Sequence, residues 1–94
     1  MIVKAFQLSD RPNHIEFVNY ERESEEKILE KVLDRLRQNK EISISEKRVG
    51  PSEDIYNCEL NEEQFKLLLD INYGVSIYAS DESTISNLLE YFNN

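Results

Sequence analysis

The sequence predicts an α+β fold: a mostly antiparallel sheet of about five to six strands with two helices packed on it, in the order ββαββββα. Three observations carry this expectation. Two segments repeat apolar residues at helical spacing, several short segments alternate apolar and polar residues, and the links between them are short enough to join antiparallel neighbours. At 94 residues the chain is read as one domain, 1–94, in which about 65% of the extended surface is buried on folding. That supports one modest core.

Ile2, Phe6 and Leu8 share one parity, and Ile15, Phe17 and Val18 mark a second extended segment. Ser9-Asp10-Arg11-Pro12-Asn13 between them is turn-prone, so the pattern predicts a hairpin of strands 2–8 and 14–20. Over 24–38, Ile28, Leu29, Val32, Leu33 and Leu36 draw a single apolar stripe. Ser24 can cap that helix, Glu25 and Glu26 sit at the positive end of its dipole, and Arg35, Arg37 and Lys40 gather near the negative end.

Ile42 and Ile44 alternate with Ser43 and Ser45, which predicts a strand over 41–48. Gly50-Pro51-Ser52 turns the chain, with Glu53 and Asp54 continuing the polar connection. Tyr56, Cys58 and Leu60 then face one way and Asn57 and Glu59 the other, as in a half-buried strand.

Residues 61–70 fit two patterns. Asn61 with Gln64 resembles a capping box and Phe65, Leu68 and Leu69 have helical spacing, yet Phe65, Leu67 and Leu69 also alternate. The strand is favoured, because Asp70 to Gly74 then becomes a turn feeding a strand through Val75, Ile77 and Ala79, a meander with short links. A helix over 61–70 stays open as the alternative. Ser80 or Asp81 can cap the last helix, in which Ile85, Leu88, Leu89 and Phe92 form a stripe that should cover a sheet face.

A composition of 39% hydrophobic and 32% charged residues, with two glycines, two prolines and one cysteine, rules out collagen, a flexible linker and a disulfide-stapled scaffold. The longest apolar run, Leu67 to Leu69, is far too short to cross a bilayer. Met1 to Leu8 has neither a long apolar stretch nor a small-residue cleavage pattern, so the cytoplasm is the expected compartment. Cys58 shares the parity of Tyr56 and Leu60 and reads as a small buried hydrophobe.

The net charge of −8 is unevenly distributed: residues 1–48 hold ten acids and ten bases, whereas 49–94 hold nine acids and one base, Lys66. Such a field attracts basic partners and repels nucleic-acid phosphates, besides serving solubility.

Little in the chain suggests chemistry. His14 is the only histidine and lies beside the Pro12 turn, where a loop histidine is the simple reading. One His and one Cys do not make a zinc cluster. No serine lies in a nucleophile elbow, and two glycines do not make a phosphate-binding loop. The acid pairs Glu25/Glu26, Glu53/Asp54, Glu62/Glu63 and Asp81/Glu82 lack calcium-loop spacing. A non-enzyme is therefore expected, with no catalytic residue, cofactor or metal site assigned.

Aromatic residues point instead to binding. Tyr56, Tyr73, Tyr78 and Tyr91 lie in the acidic half, and tyrosine buries area while keeping a polar tip. By parity Tyr78 and Ser76 point away from the packed face, beside Asn57 and Glu59 if one face is open. The candidate partner-binding residues are Glu53, Asp54, Glu59, Asp70, Tyr73 and Tyr78.

At Asp54-Ile55-Tyr56-Asn57-Cys58 and Asp70-Ile71-Asn72-Tyr73-Gly74 the chain resembles small acidic proteins of bacterial toxin-neutralising, or immunity, systems. The likeness is one of class and covers about residues 50–92. It implies a cytoplasmic inhibitor that blocks a basic active site on a toxin domain. Composition and spacing separately point only to an acidic face that binds a basic protein. Two other readings stay open: a structural or regulatory homodimer that pairs through residues 75–79, and a small-molecule-binding domain or carboxylate enzyme.

Overall fold

The computed structural model describes residues 4–19, 22–70 and 74–93. The expected start of the first strand at Ile2 and the candidate Tyr73 lie outside the described residues. The elements run β1 (Ala5–Leu8), β2 (Arg11–Phe17), α1 (Glu25–Arg37), β3 (Ile42–Val49), β4 (Glu53–Leu60), β5 (Glu63–Asp70), β6 (Gly74–Tyr78) and α2 (Glu82–Asn93). This is the expected order, ββαββββα.

All strands join one six-stranded antiparallel sheet in the order β1-β2-β6-β5-β4-β3. The last four strands form a meander, and β2 of the first hairpin pairs with β6. The strand Gly74–Tyr78 is therefore interior, between β2 and β5, and its ladder is already occupied on both sides. β6 is thus not the free edge strand that the expected pairing through 75–79 calls for, since Ser76 to Tyr78 are paired with β2 and Gly74 to Tyr78 with β5.

The starts of two strands differ from expectation. The first turn is the two-residue Ser9-Asp10 link, and β2 begins at Arg11 with Pro12 inside it. Proline is tolerated there because β2 pairs with β6 only over His14 to Glu16, so the missing N–H falls beyond that ladder. Glu53 and Asp54 begin β4 instead of extending the turn, since they pair with Asp70 and Leu69 of β5.

In the 61–70 segment the strand is what forms, over Glu63–Asp70. Leu60 pairs with Glu63, leaving Asn61 and Glu62 as a two-residue hairpin loop with φ of 50° and 73°. Positive φ at both positions is what a tight hairpin twisted like its strands requires, so the apparent capping box is a turn.

Both helices lie on one side of the sheet. Along the register Ile15, Ile77 and Leu67 are neighbours on β2, β6 and β5, each 0% exposed. They form one core with Ile28, Val32 and Leu36 of α1 and Ile85, Leu88 and Phe92 of α2. Ser24 accepts a hydrogen bond from the Lys27 N–H at 3.3 Å and Asp81 Oδ1 one from the Ser83 N–H at 3.0 Å, capping the two helices. The helices are joined by Arg35, whose guanidinium lies 4.3 Å from the Tyr91 ring centroid and donates to the Tyr91 carbonyl at 3.0 Å. Phe92 meets Phe17 of β2 edge-on, with centroids 5.1 Å apart.

Candidate partner-binding surface

With both helices on one side, the other sheet face carries no helix, although it is not bare throughout, since Ser76 on it is only 8% exposed. Its side chains are the alternate set. The register places His14, Tyr78, Lys66 and Asn57 side by side on β2, β6, β5 and β4, and in the next row Phe6, Glu16, Ser76, Leu68 and Ile55 from β1 to β4. Tyr78 is 37% exposed and its ring lies 5.1 Å from that of His14, tilted by 55°. The expected outward placement of Tyr78 beside Asn57 and Glu59 is thus what the structure has.

His14 is a strand residue, half-buried in β2, and not a loop histidine. Burial, helped by the Arg11 guanidinium, holds its pKa below the usual 6.5. Glu16, opposite Ser76, has its pKa raised by burial and by the nearby Glu25 carboxylate, against an opposing pull from Arg11.

The candidate residues fall into two groups. Glu53 and Asp70 are direct cross-strand partners, and Asp54 follows Glu53 at the start of β4. All three line a cleft of about 370 Å³ together with Glu25 and Glu26 from the first turn of α1 and the Gly50-Pro51-Ser52 turn. Five carboxylates from three separate chain segments thus meet at one end of the sheet. Lys47 offsets them in part, its ammonium lying 3.4 Å from the Asp54 carboxylate.

Glu59 and Tyr78 lie elsewhere, lining a concavity of about 380 Å³ on the uncovered face. Glu53 and Glu59 are six residues apart on one strand, roughly 20 Å at the rise of an extended chain. The structure therefore does not bring all the candidates together.

The role expected for several tyrosines is not shared among those described. Tyr56 is partly buried against the core, and Tyr91 packs on the core and holds Arg35. Among the described tyrosines of the acidic half, Tyr78 is the one on the uncovered face. Cys58 is buried at 4% exposure, its thiol donates weakly to the Tyr56 carbonyl at 3.6 Å, and burial pushes its pKa up to about 11. That suits a packing residue and leaves almost no thiolate near neutral pH.

Sequence reading did not place Glu25 and Glu26 in the acidic cleft, since acids in the first turn of a helix are accounted for by its dipole. Their position follows from topology: α1 begins at the sheet end where β4 starts and β6 begins. Gly74 records the closeness, because a Cβ there would lie 2.5 Å from a Glu25 carboxylate oxygen. Lys66, counted only as the solitary base of the second half, stands between Tyr78 and Asn57 on the open face.

Among the described residues, no group of three or more His, Cys, Asp or Glu side chains is arranged to hold a metal ion, and no helix is long and apolar enough to cross a membrane. Compared with protein-family models, curated proteins and solved structures, the chain matches none.

Proposed function

We propose that this protein is a non-enzymatic binding module whose acidic sheet end docks a basic protein, in the manner of an immunity protein that covers a basic toxin domain. The observation that carries the reading is the convergence of Glu25, Glu26, Glu53, Asp54 and Asp70 around one cleft beside the uncovered sheet face. Clustered like charges raise the local potential, speed encounter with a cationic surface and select against anionic partners. Tyr73 and Tyr78 are the aromatic candidates for the affinity that charge alone does not supply. Glu59 would extend the acidic contact along β4 towards Tyr78.

Parallel affinity capture from a bacterial cytoplasm tests this, with the wild type and a Glu53→Lys/Asp70→Lys double variant as baits. The reading expects a basic protein that the wild type retains, salt releases and the variant fails to hold. Identical sets of retained proteins on the two baits would defeat it.

A further inference from the structure

The concavity on the uncovered face has a different character from the acidic cleft. Its floor is the β4–β5–β6 region of the sheet, and it is hollow because Ser43 and Ser45 of the edge strand are small where their neighbours Glu59, Lys66 and Tyr78 are long. About 380 Å³ lies within the range of small-molecule sites. One cation and one anion face into it. Lys66 is opposite Asn57 and Glu59 is opposite Gln64, so the two charges are diagonal neighbours on adjacent strands, with Cβ atoms roughly 7 Å apart. Among the described residues no ion pair joins them to each other or to another charged group.

We propose that this concavity binds a small zwitterion of the α-amino-acid class. The ligand carboxylate accepts from the Lys66 ammonium and the Tyr78 hydroxyl, and its ammonium donates to the Glu59 carboxylate and the Asn57 side-chain carbonyl. Ser43 and Ser45 border the space left for the ligand's side chain. The two charges of the site cancel, which matches a ligand of zero net charge. A simple anion would meet the repulsive field of a chain with net charge −8, and a simple cation would be drawn to the five-carboxylate cleft instead. This inference shares Glu59 and Tyr78 with the basic-partner reading but does not rest on it, because the concavity and Lys66 are separate from the five-carboxylate cleft.

Backbone amide shifts of the isotope-labelled protein test it, with each proteinogenic amino acid added to about 10 mM, a range that detects even weak binding. At least one amino acid is expected to move the Asn57, Glu59, Lys66 and Tyr78 amides saturably. Its N-acetyl and methyl-ester derivatives, which each lack one charge, should bind about tenfold or more weakly. Lys66→Gln and Glu59→Gln should each cause a similar loss while leaving the amide spectrum of both helices unchanged. The proposal is overturned if no amino acid moves these amides, if the blocked derivatives bind the wild type as well as the parent does, or if both folded variants keep full affinity.

Discussion

The side-chain amide of Asn93 holds both backbone groups of Ala5: its Oδ1 accepts from the Ala5 N–H at 2.9 Å and its Nδ2 donates to the Ala5 carbonyl at 2.9 Å. Val18 donates to the Lys4 carbonyl at 2.9 Å, so Lys4 bonds inward to β2 while Ala5, its alternate, bonds outward. Asn93 thus takes the place of a neighbouring strand. The end of α2 is tied to the sheet, and the β1 edge is closed at that position to pairing with another chain.

Asn93→Ala should cost about 1–3 kcal/mol, because it leaves a donor and an acceptor of the buried Ala5 unsatisfied at once. Chemical denaturation checks the loss. An unchanged midpoint with an unchanged slope would show that water replaces the amide without penalty.

Glu62→Gly should stabilise the protein by about 0.5–1 kcal/mol, since a left-handed conformation is costly for Glu and free for Gly, less the greater flexibility of Gly in the unfolded chain. The basis is the φ of 73° at Glu62 in the loop between β4 and β5. Thermal unfolding would register a higher midpoint; a lower one would mean that the Glu62 side chain has a stabilising role.

Gly74→Ala should destabilise by about 1–2 kcal/mol, from left-handed strain at a φ of 79°, whereas the Glu25 carboxylate, the mobile end of an exposed side chain, can swing aside. Glu25→Ala in the Gly74→Ala background should therefore recover little of the loss. Full recovery, measured by chemical denaturation, would show that the backbone conformation contributes nothing.

His14 should titrate below 6.5, a shift that burial causes first and Arg11 second. A lowered folded-state pKa means that the unfolded chain binds the proton more readily, so stability falls as pH drops through the window between the folded value and 6.5 and is unaffected above it. His14 is the only histidine, which makes its ring resonances unambiguous. A midpoint at or above 6.5 would contradict the assignment, and Arg11→Gln should raise the midpoint only part of the way.

The fold was legible because helices and half-buried strands each leave a period in the chain. Ile28, Leu29, Val32, Leu33 and Leu36 occupy one buried stripe, and Cys58, Leu60, Phe65 and Leu67 alternate as the strands require. Expectation and structure part where local chemistry is ambiguous: Pro12 has the signature of a turn residue, yet its place beyond the β6 ladder makes it harmless in a strand. Side-chain parity located Tyr78, whereas the convergence of Glu25 with Glu53 and Asp70 depends on where α1 begins relative to distant strands. Residues brought together only by topology leave no local period, so the acidic cleft is only half legible in the sequence.

The most direct test of the acidic end is an amide-shift map of the labelled protein with a short oligolysine peptide at low ionic strength. Perturbations centred on Glu25, Glu26, Ser52 to Asp54 and Leu69 to Asp70, and abolished by Glu53→Lys/Asp70→Lys, are the expected result. Equal perturbations over the acids of α1 and α2 that lie outside the cleft, unaltered by the double variant, would mean that the charge is dispersed and gives no preferred docking end.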